Sequence, residues 1–276
     1  RPAWREKFWY AQKAQQMKFD TIYSETDAQG VCTVWLNRPE KHNALSAQMI
    51  DELTEMAAIL RQGSGRVVIL AARGQSFCAG GDLQWMQTQM QADRATRQAG
   101  ARSLAGMLQS WNTLSLPVIG RIHGNAFGGG VGLASICDVA IGVETVWMGL
   151  TETKLGLIPA TIGPYVIARM GEAKARRVFM SARKFSAQDA QSLGLLAKTV
   201  SQEALDLAVT AEVTPYLSCA PGAVAAAKKL ARRLGPVIDE QTIEMTVTAL
   251  IAQWESPEAE EGIAAFFGKT APSWQI

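Results

Sequence analysis

The sequence lacks several features that would each mark a particular class of protein. It has no run of about 18 uninterrupted apolar residues, the length of a candidate membrane span. It has only two histidines and four cysteines, with no Cys-x-x-Cys pair, so we expect no metal site. The glycine fingerprints of dinucleotide-binding and P-loop proteins are also absent. The net charge of +2 favours neither nucleic acid nor a membrane as a partner.

The cysteines and the N-terminal residues bear on the setting of the protein. Cys32, Cys78, Cys137 and Cys219 are widely separated, and we expect all four to be free, buried thiols of a cytoplasmic protein. Residues 1–16 mix aromatic with basic residues. We interpret them as an extension or an expression remnant ahead of a natural start at Met17. The alternative, a targeting or surface helix, lacks the apolar core of a signal peptide.

From Phe19 onwards, short apolar runs alternate with segments of helical periodicity, which predicts an α/β fold with a largely parallel sheet. We divide the chain into a β/α core at 17–200 and a helical C-terminal region at 201–276. The predicted strands are 21–24, 31–36, 67–71, 118–122 and 138–143. The predicted helices are 46–63, 94–114 and 130–137. After Pro159 we find little strand signal and predict helices at 165–170, 173–181, 187–192, 202–216, 221–234, 239–253 and 256–267.

Two glycine-rich segments, Phe77–Asp82 and Ala126–Gly132, each follow a predicted strand and precede a predicted helix. Such turns bring backbone N–H groups close to a ligand, and two of them could direct two N–H groups at one oxygen. Each segment also has a purely structural interpretation. Asp82 is placed to cap the helix that follows it, and glycine triplets also serve close packing.

Five ordered blocks carry a resemblance to a known family. They are 37–45, 77–82, 122–130, 137–138 and 151–159, and the segment 258–267 looks like the same family's terminal helix. From about Phe19 to its end the chain resembles the enoyl-CoA hydratase/isomerase (crotonase) superfamily. The resemblance implies a spiral of β-β-α units with a helical C-terminal trimerisation region, assembled as trimers or hexamers. It implies acyl-CoA substrates and no cofactor, with coenzyme A as part of the substrate.

The resemblance also implies roles for individual residues. By motif position, Gly81 and Gly129 would donate the N–H groups that hold the thioester oxygen. The expected contacts to coenzyme A and substrate are Arg38, Lys41, Ala44, Ala79, Gly80, Asp82, Gly128 and Gly132. For Arg38 and Lys41, ordinary solvated surface charge is the alternative interpretation.

The carboxylates depart from the two-glutamate pattern of many hydratases in this family. The position of the first glutamate holds Gly132, whereas the second is retained as Glu152. Either Glu152 performs both proton transfers or another residue replaces the missing partner, and the sequence identifies none. Glu144 is close in sequence but is more typical of a surface charge. A single glutamate also suits a Δ3-Δ2-enoyl-CoA isomerase.

The segments 127–134 and 157–166 resemble a bacterial subgroup, the methylglutaconyl-CoA and γ-carboxygeranoyl-CoA hydratases of leucine and acyclic-terpene breakdown. In that subgroup too the first glutamate is a glycine, and its carboxylated substrates are expected to require a cationic or N–H-rich partner that the sequence does not identify. Trp85, Met86 and Trp147 are candidate walls of the acyl pocket. We therefore predict a hydratase of a short, branched, carboxylated enoyl-CoA.

The alternatives are an isomerase, a degenerate CoA-binding protein, an RNA-binding protein and a CoA thioesterase. The predicted helix 46–63 carries Asp51, Glu52 and Glu55, which would repel the phosphates of RNA. No nucleophile and base pair supports a thioesterase.

Overall fold

The larger of two sheets is mostly parallel, as the alternating pattern predicts. A computed structural model describes residues 19–275, so the proposed extension at 1–16 lies outside the described residues. The sheet has the order β1-β2-β3-β5-β7-β10, with β1–β2 antiparallel and the other pairs parallel. Its strands are β1 Ile22–Thr26, β2 Val31–Leu36, β3 Val67–Ala72, β5 Val118–Ile122, β7 Val139–Val143 and β10 Lys198–Val200.

The second sheet is built from very short strands that the sequence pattern does not reveal. Its order is β4-β6-β8-β9, and only β8–β9 is antiparallel. The strands are β4 Ser76–Cys78, β6 Asn125–Phe127, β8 Trp147–Gly149 and β9 Lys184–Ser186. The expectation of little strand after Pro159 is therefore wrong for β9 and β10. With three residues each, these strands are too short to show an alternation of period two.

The helices agree closely with the predicted positions. Residues 19–275 contain α1 Ala47–Gln62, α2 Leu83–Gln91, α3 Arg94–Asn112, α4 Gly129–Ile136, α5 Gly163–Met170, α6 Glu172–Phe179, α7 Ala187–Leu193, α8 Leu205–Leu217, α9 Pro221–Leu234, α10 Glu240–Trp254 and α11 Pro257–Gly268. Short 3-10 helices lie at Pro39–Lys41 and Glu152–Leu155. None of the helices in this part of the chain is long and apolar enough to cross a membrane.

The order of elements repeats a β-β-α unit. A strand of the large sheet (β3, β5 or β7) passes directly to a strand of the small sheet (β4, β6 or β8), and the chain then becomes helical. The fold expected from the resemblance, a spiral of such units, is confirmed. Three successive units therefore bring three equivalent strand-to-helix turns to the same edge of the small sheet.

The core lies between the large sheet and α1 and α3. Ser46 caps α1 by accepting a hydrogen bond from the Met49 N–H at 3.2 Å. The helical spacing predicts one buried face, and the buried residues of α1 are the six predicted ones: Met49, Ile50, Leu53, Met56, Ala57 and Leu60. Trp111 on α3 is fully buried and donates its indole N–H to the Leu53 carbonyl oxygen at 2.8 Å, which ties the two helices together.

All four cysteines are free, and Cys32, Cys78 and Cys137 are buried as expected. Cys219 is exposed, so that part of the prediction is wrong. It lies between α8 and α9, where a connection between two helices runs at the surface.

Two glycine-to-alanine substitutions test the packing of α4 against β4. A Cβ at Gly130 would lie 2.3 Å from the Cys78 carbonyl oxygen, whereas a Cβ at the exposed Gly106 of α3 would meet no atom within 4 Å. We expect Gly130→Ala to lower the free energy of unfolding by about 2 kcal/mol or more, because backbone cannot yield as a side chain does. Gly106→Ala should raise it by about 0.5–1 kcal/mol.

The measurement is urea unfolding of both variants at one protein concentration. Equal effects of the two substitutions would contradict the close contact between α4 and β4.

Candidate active site

Three chain segments meet at the carboxyl ends of β4, β6 and β8. These strands are parallel neighbours, with Cys78 paired to Ala126 and Phe127 paired to Gly149. Since parallel strands end at the same edge, the residues that follow them lie side by side, where ligands of such sheets bind. The three following segments are 79–82, 128–129 and 151–152.

The two glycine turns are in van der Waals contact. A Cβ at Gly80 would lie 3.1 Å from the Phe127 carbonyl oxygen, and a Cβ at Gly129 would lie 3.8 Å from the Gly80 Cα. Gly80 has φ +100° and Gly128 has φ +48° with ψ −114°, conformations that side-chain-bearing residues rarely adopt. The glycines thus provide both the turn geometry and the approach of one turn to the other.

The N–H groups of Gly81 and Gly129 are available to a ligand. Among residues 19–275, neither donates a hydrogen bond. Gly81 is held from both sides, because the Leu45 N–H donates to the Gly80 carbonyl oxygen and the Asp82 N–H donates to the Leu45 carbonyl oxygen. Gly129 is the first residue of α4, where the helix dipole is positive. The arrangement is therefore suited to stabilising negative charge on an oxygen.

The carboxyl group of Glu152 lies against the second glycine turn. A Cβ at Gly128 would be 3.0 Å from Glu152 Oε1. Glu152 Oε2 is buried and has no hydrogen-bond partner in the described part of the chain. Burial in apolar surroundings disfavours the charged form and raises the pKa of Glu152 from 4.5 to about 7. A carboxyl with such a pKa is suited to exchange protons at neutral pH.

These groups border a cavity of about 410 Å³ with mainly apolar walls. Ala79, Gly80, Gly81, Gly128, Gly129 and Glu152 all line it, so the structure brings most of the predicted site residues together. Trp85 and Met86 are walls, as expected, but Trp147 is half exposed and does not line the cavity. Walls that the sequence analysis missed come from α3, α10 and α11, namely Leu104, Leu250, Trp254 and Phe266.

A larger cavity of about 610 Å³ lies beside α9 and is not the candidate site. Its charged lining residues include Asp138 and Lys228, which form an ion pair with 2.6 Å between Nζ and Oδ2. Neither glycine turn lines it, and neither does Glu152.

Comparison with known proteins gives the same family as these features. A profile of the enoyl-CoA hydratase/isomerase family matches residues 26–276. The chain belongs to this family. An enoyl-CoA hydratase of Alternaria alternata is 33% identical over 249 residues, which are 88% of this chain and 80% of that protein.

Solved structures of the family agree with the fold. An enoyl-CoA hydratase from Shewanella pealeana is 34% identical, with a TM-score of 0.78 over 95% of this chain and 98% of that one. AtuE of Pseudomonas aeruginosa is 31% identical, with a TM-score of 0.76 over 93% of this chain and 100% of its own. The α/β crotonase fold expected from the sequence is thereby confirmed.

Within this hydratase/isomerase fold, Gly132 is packed away from the cavity. It is buried in α4 and does not line the cavity, unlike the other glycines of the predicted set. A Cβ at Gly132 would lie 2.4 Å from Ile162 Cγ2. Ile162, itself a cavity wall, therefore fills the space into which a side chain at position 132 would project. The described residues offer Glu152 as the one carboxylate in the cavity lining.

Asp82 and Arg38 form the support of the first glycine turn. Asp82 caps α2 as predicted, with Oδ1 accepting from the N–H groups of Gln84 and Trp85 at 2.9 and 3.2 Å. Its Oδ2 accepts from Arg38 at 3.0 Å, and Arg38 also donates to the Ala44 carbonyl oxygen at 2.9 Å. The expected contacts of Arg38, Ala44 and Asp82 with coenzyme A stay predictions, as does that of the exposed Lys41.

Asn43 is a supporting residue that the sequence analysis missed. It is fully buried and donates from Nδ2 to the carbonyl oxygens of Arg73 and Ser76, while its Oδ1 accepts from the Arg38 N–H. These three bonds fix the loop that leads from β2 to α1 against the strand that ends at the first turn. Its left-handed φ of +52° is a conformation that asparagine tolerates.

The raised pKa of Glu152 predicts a pH dependence of stability. Below about pH 4.5 the carboxyl is neutral in both the folded and the unfolded state, so its titration does not change the free energy of unfolding. As the pH rises to about 7, only the unfolded state ionises freely, so stability falls by up to about 3 kcal/mol. Glu152→Gln cannot ionise and should lack this loss.

The measurement is urea unfolding of the wild type and Glu152→Gln between pH 4.5 and 8, at equal protein concentration. The free energy of unfolding of Glu152→Gln, relative to that of the wild type, should increase as the pH rises. Parallel curves would show that the carboxyl is not desolvated.

Proposed function

We propose that this protein is an enoyl-CoA hydratase that adds water reversibly to a short, branched, carboxylated enoyl-CoA of the 3-methylglutaconyl type. The observation that carries the proposal is the convergence of two free N–H groups, Gly81 and Gly129, with the buried carboxyl of Glu152 on one cavity. The relatives named as enoyl-CoA hydratases support hydration as the reaction.

The two N–H groups would hold the thioester carbonyl oxygen. Attack on Cβ moves the electrons of the double bond towards this oxygen and forms an enolate. Donors fixed by the backbone stabilise that charge more than the neutral carbonyl, so they lower the barrier. Since the glycine turns hold one another in place, little reorganisation accompanies the reaction.

Glu152 would transfer a proton from the attacking water to Cα of the substrate. As a carboxylate it takes a proton from water while the hydroxide oxygen bonds to Cβ, and it then returns that proton to Cα. The water is consumed, the double bond becomes single, and Glu152 is again a carboxylate. The step needs no metal and no redox cofactor, and coenzyme A enters as part of the substrate.

A Δ3-Δ2-enoyl-CoA isomerase is the second candidate. Ile162 occupies the space beside Gly132, so the cavity offers one carboxylate rather than two. A single base that removes a proton from C2 and returns it to C4 would use the same N–H groups to hold the dienolate.

A panel of thioesters distinguishes the two reactions. We expect loss of the absorbance of the conjugated thioester when 2-enoyl-CoA substrates are supplied, with 3-hydroxyacyl-CoA as product. Gain of that absorbance from 3-enoyl-CoA substrates, without loss from 2-enoyl-CoA, would select the isomerase.

Glu152→Gln tests the assignment of the proton-transfer residue. We expect kcat to fall by roughly 10²–10⁴-fold, because the amide can neither take nor return a proton. For the wild type, kcat/KM should rise with pH through about 7, since the free enzyme must hold the carboxylate. Turnover near the wild-type value in the variant would refute the role of Glu152, and Glu144→Gln, at an exposed position, is the control.

We also propose self-association as a trimer or a hexamer. The described C-terminal region exposes several large apolar side chains, namely Leu207, Leu230, Leu234, Val237 and Met245. An interface between copies of the chain would remove such side chains from water. A monomeric mass by light scattering would contradict this proposal.

The absence of nucleic-acid binding and a cytoplasmic location stay predictions of the sequence.

A further inference from the structure

The charge of the cavity lining does not match an uncharged acyl group. The ionisable residues among the lining side chains are Glu152, Lys154 and Lys184. Burial raises the pKa of the carboxyl to about 7, and the other two ionisable residues of the lining are both basic. Both lysines are exposed, and they border walls that are otherwise mainly apolar. The cavity is therefore suited to a ligand that carries a negative charge besides its thioester.

Lys184 is placed by the small sheet next to the reacting groups. It lies on β9 opposite Gly149 of β8, and Gly149 lies opposite Phe127 of β6. Because Gly149 has no side chain, the Lys184 side chain crosses it, and its Nζ lies 5.3 Å from the centre of the Phe127 ring. Phe127 directly precedes Gly128, against which Glu152 packs. Lys184 thus lies on the strand next to β8, and Glu152 follows β8 in the chain.

The Lys184 ammonium has no carboxylate partner in residues 19–275, where the ion pairs involve other cations. The contact with the Phe127 ring positions the ammonium group without neutralising its charge. Lys154 also lines the cavity, but the structure shows no such aromatic contact for it within the same residues. Of the two, Lys184 is the cation whose position is defined by the cavity wall.

We propose that Lys184 binds a carboxylate on the acyl group, and so selects carboxylated enoyl-CoA substrates. The inference rests on the proposed function and chooses a cation, rather than a group of N–H donors, as the partner of the substrate carboxylate. In an acyl group of the 3-methylglutaconyl type, one methylene separates the carboxylate from Cβ. Glu152 acts on Cα and Cβ, and Lys184 binds the group just beyond them. A phosphate of coenzyme A is the other anion that the same ammonium could bind.

The test compares 3-methylglutaconyl-CoA with 3-methylcrotonyl-CoA, which lacks the carboxylate. For Lys184→Gln we expect kcat/KM to fall by roughly 10- to 100-fold with the carboxylated substrate, as for loss of a charge-assisted hydrogen bond. With the uncharged substrate it should change by less than about threefold. Lys184→Arg should retain part of the preference. Lys198→Gln, which removes an exposed lysine on β10, is the control and should leave both values unchanged.

Three results would overturn the inference. First, kcat/KM of Lys184→Gln could fall equally with both CoA thioesters and not fall with N-acetylcysteamine thioesters, which lack phosphates. This result would assign Lys184 to the binding of coenzyme A. Unchanged kinetics of Lys184→Gln, or a selective loss in Lys154→Gln instead, would remove Lys184 from recognition. Hydration of 3-methylcrotonyl-CoA but not of the carboxylated substrate by the wild type would refute the inference and leave the hydratase standing. Hydration of neither substrate, with 3-enoyl-CoA isomerised, would refute the proposed function itself.

Discussion

The contact between the two glycine turns is the constraint on which the site depends. The parallel pairing of β4, β6 and β8 brings the turns to one edge, but only residues without Cβ atoms let them touch. An oxygen can be held by two N–H groups only if they lie a few ångströms apart and have no other acceptor. Here the contact brings the two turns together, and neither N–H group donates elsewhere in the described residues. Side chains such as Asp82, Arg38 and Asn43 hold the first turn in place.

The burial of Glu152 suits the proposed proton transfer but lowers the stability of the fold. Its carboxyl is surrounded by apolar walls and by backbone without a donor for Oε2, which raises its pKa. An arrangement chosen for stability would hydrogen-bond or expose the group. The unfavourable burial of this one group is offset by a large apolar core, which includes residues of both sheets. The unfavourable burial thus concerns a single carboxyl group in a well-packed fold.

The sequence predicted the elements that carry a strong periodic signal and missed those that do not. The six-residue run of β3 and the buried face of α1 are long enough to show their periods, and both were predicted correctly. The three-residue strands β4, β6, β8 and β9 were missed, although they place the site, because their pairing is set by tertiary contacts. The cap at Asp82 was predictable since it is local in sequence.

Long-range neighbours account for the remaining differences within the site. Ile162 fills the space beside Gly132 from a loop thirty residues away, and α10 and α11 supply walls from the far end of the chain. Trp147 was expected at the acyl pocket, yet it lies at the start of β8, does not line the cavity and is half exposed. The strand that carries it was not predicted, so its position relative to the cavity could not be predicted either.

The backbone turns and the side-chain walls of the cavity have different parts in the proposed function. This difference explains why family membership alone does not identify the acyl group of the substrate. In the proposed function the glycine turns would contact only the thioester, which acyl-CoA substrates share, so their geometry carries no information about the rest of the acyl group. Discrimination must come from side chains that touch the remainder, and these lie on separate elements: Ile162, Lys184, Trp254 and Phe266. Such positions can change without disturbing the turn contact, because none of them contributes a backbone group to it. A fixed backbone centre with exchangeable walls is therefore sufficient to give one fold several substrates.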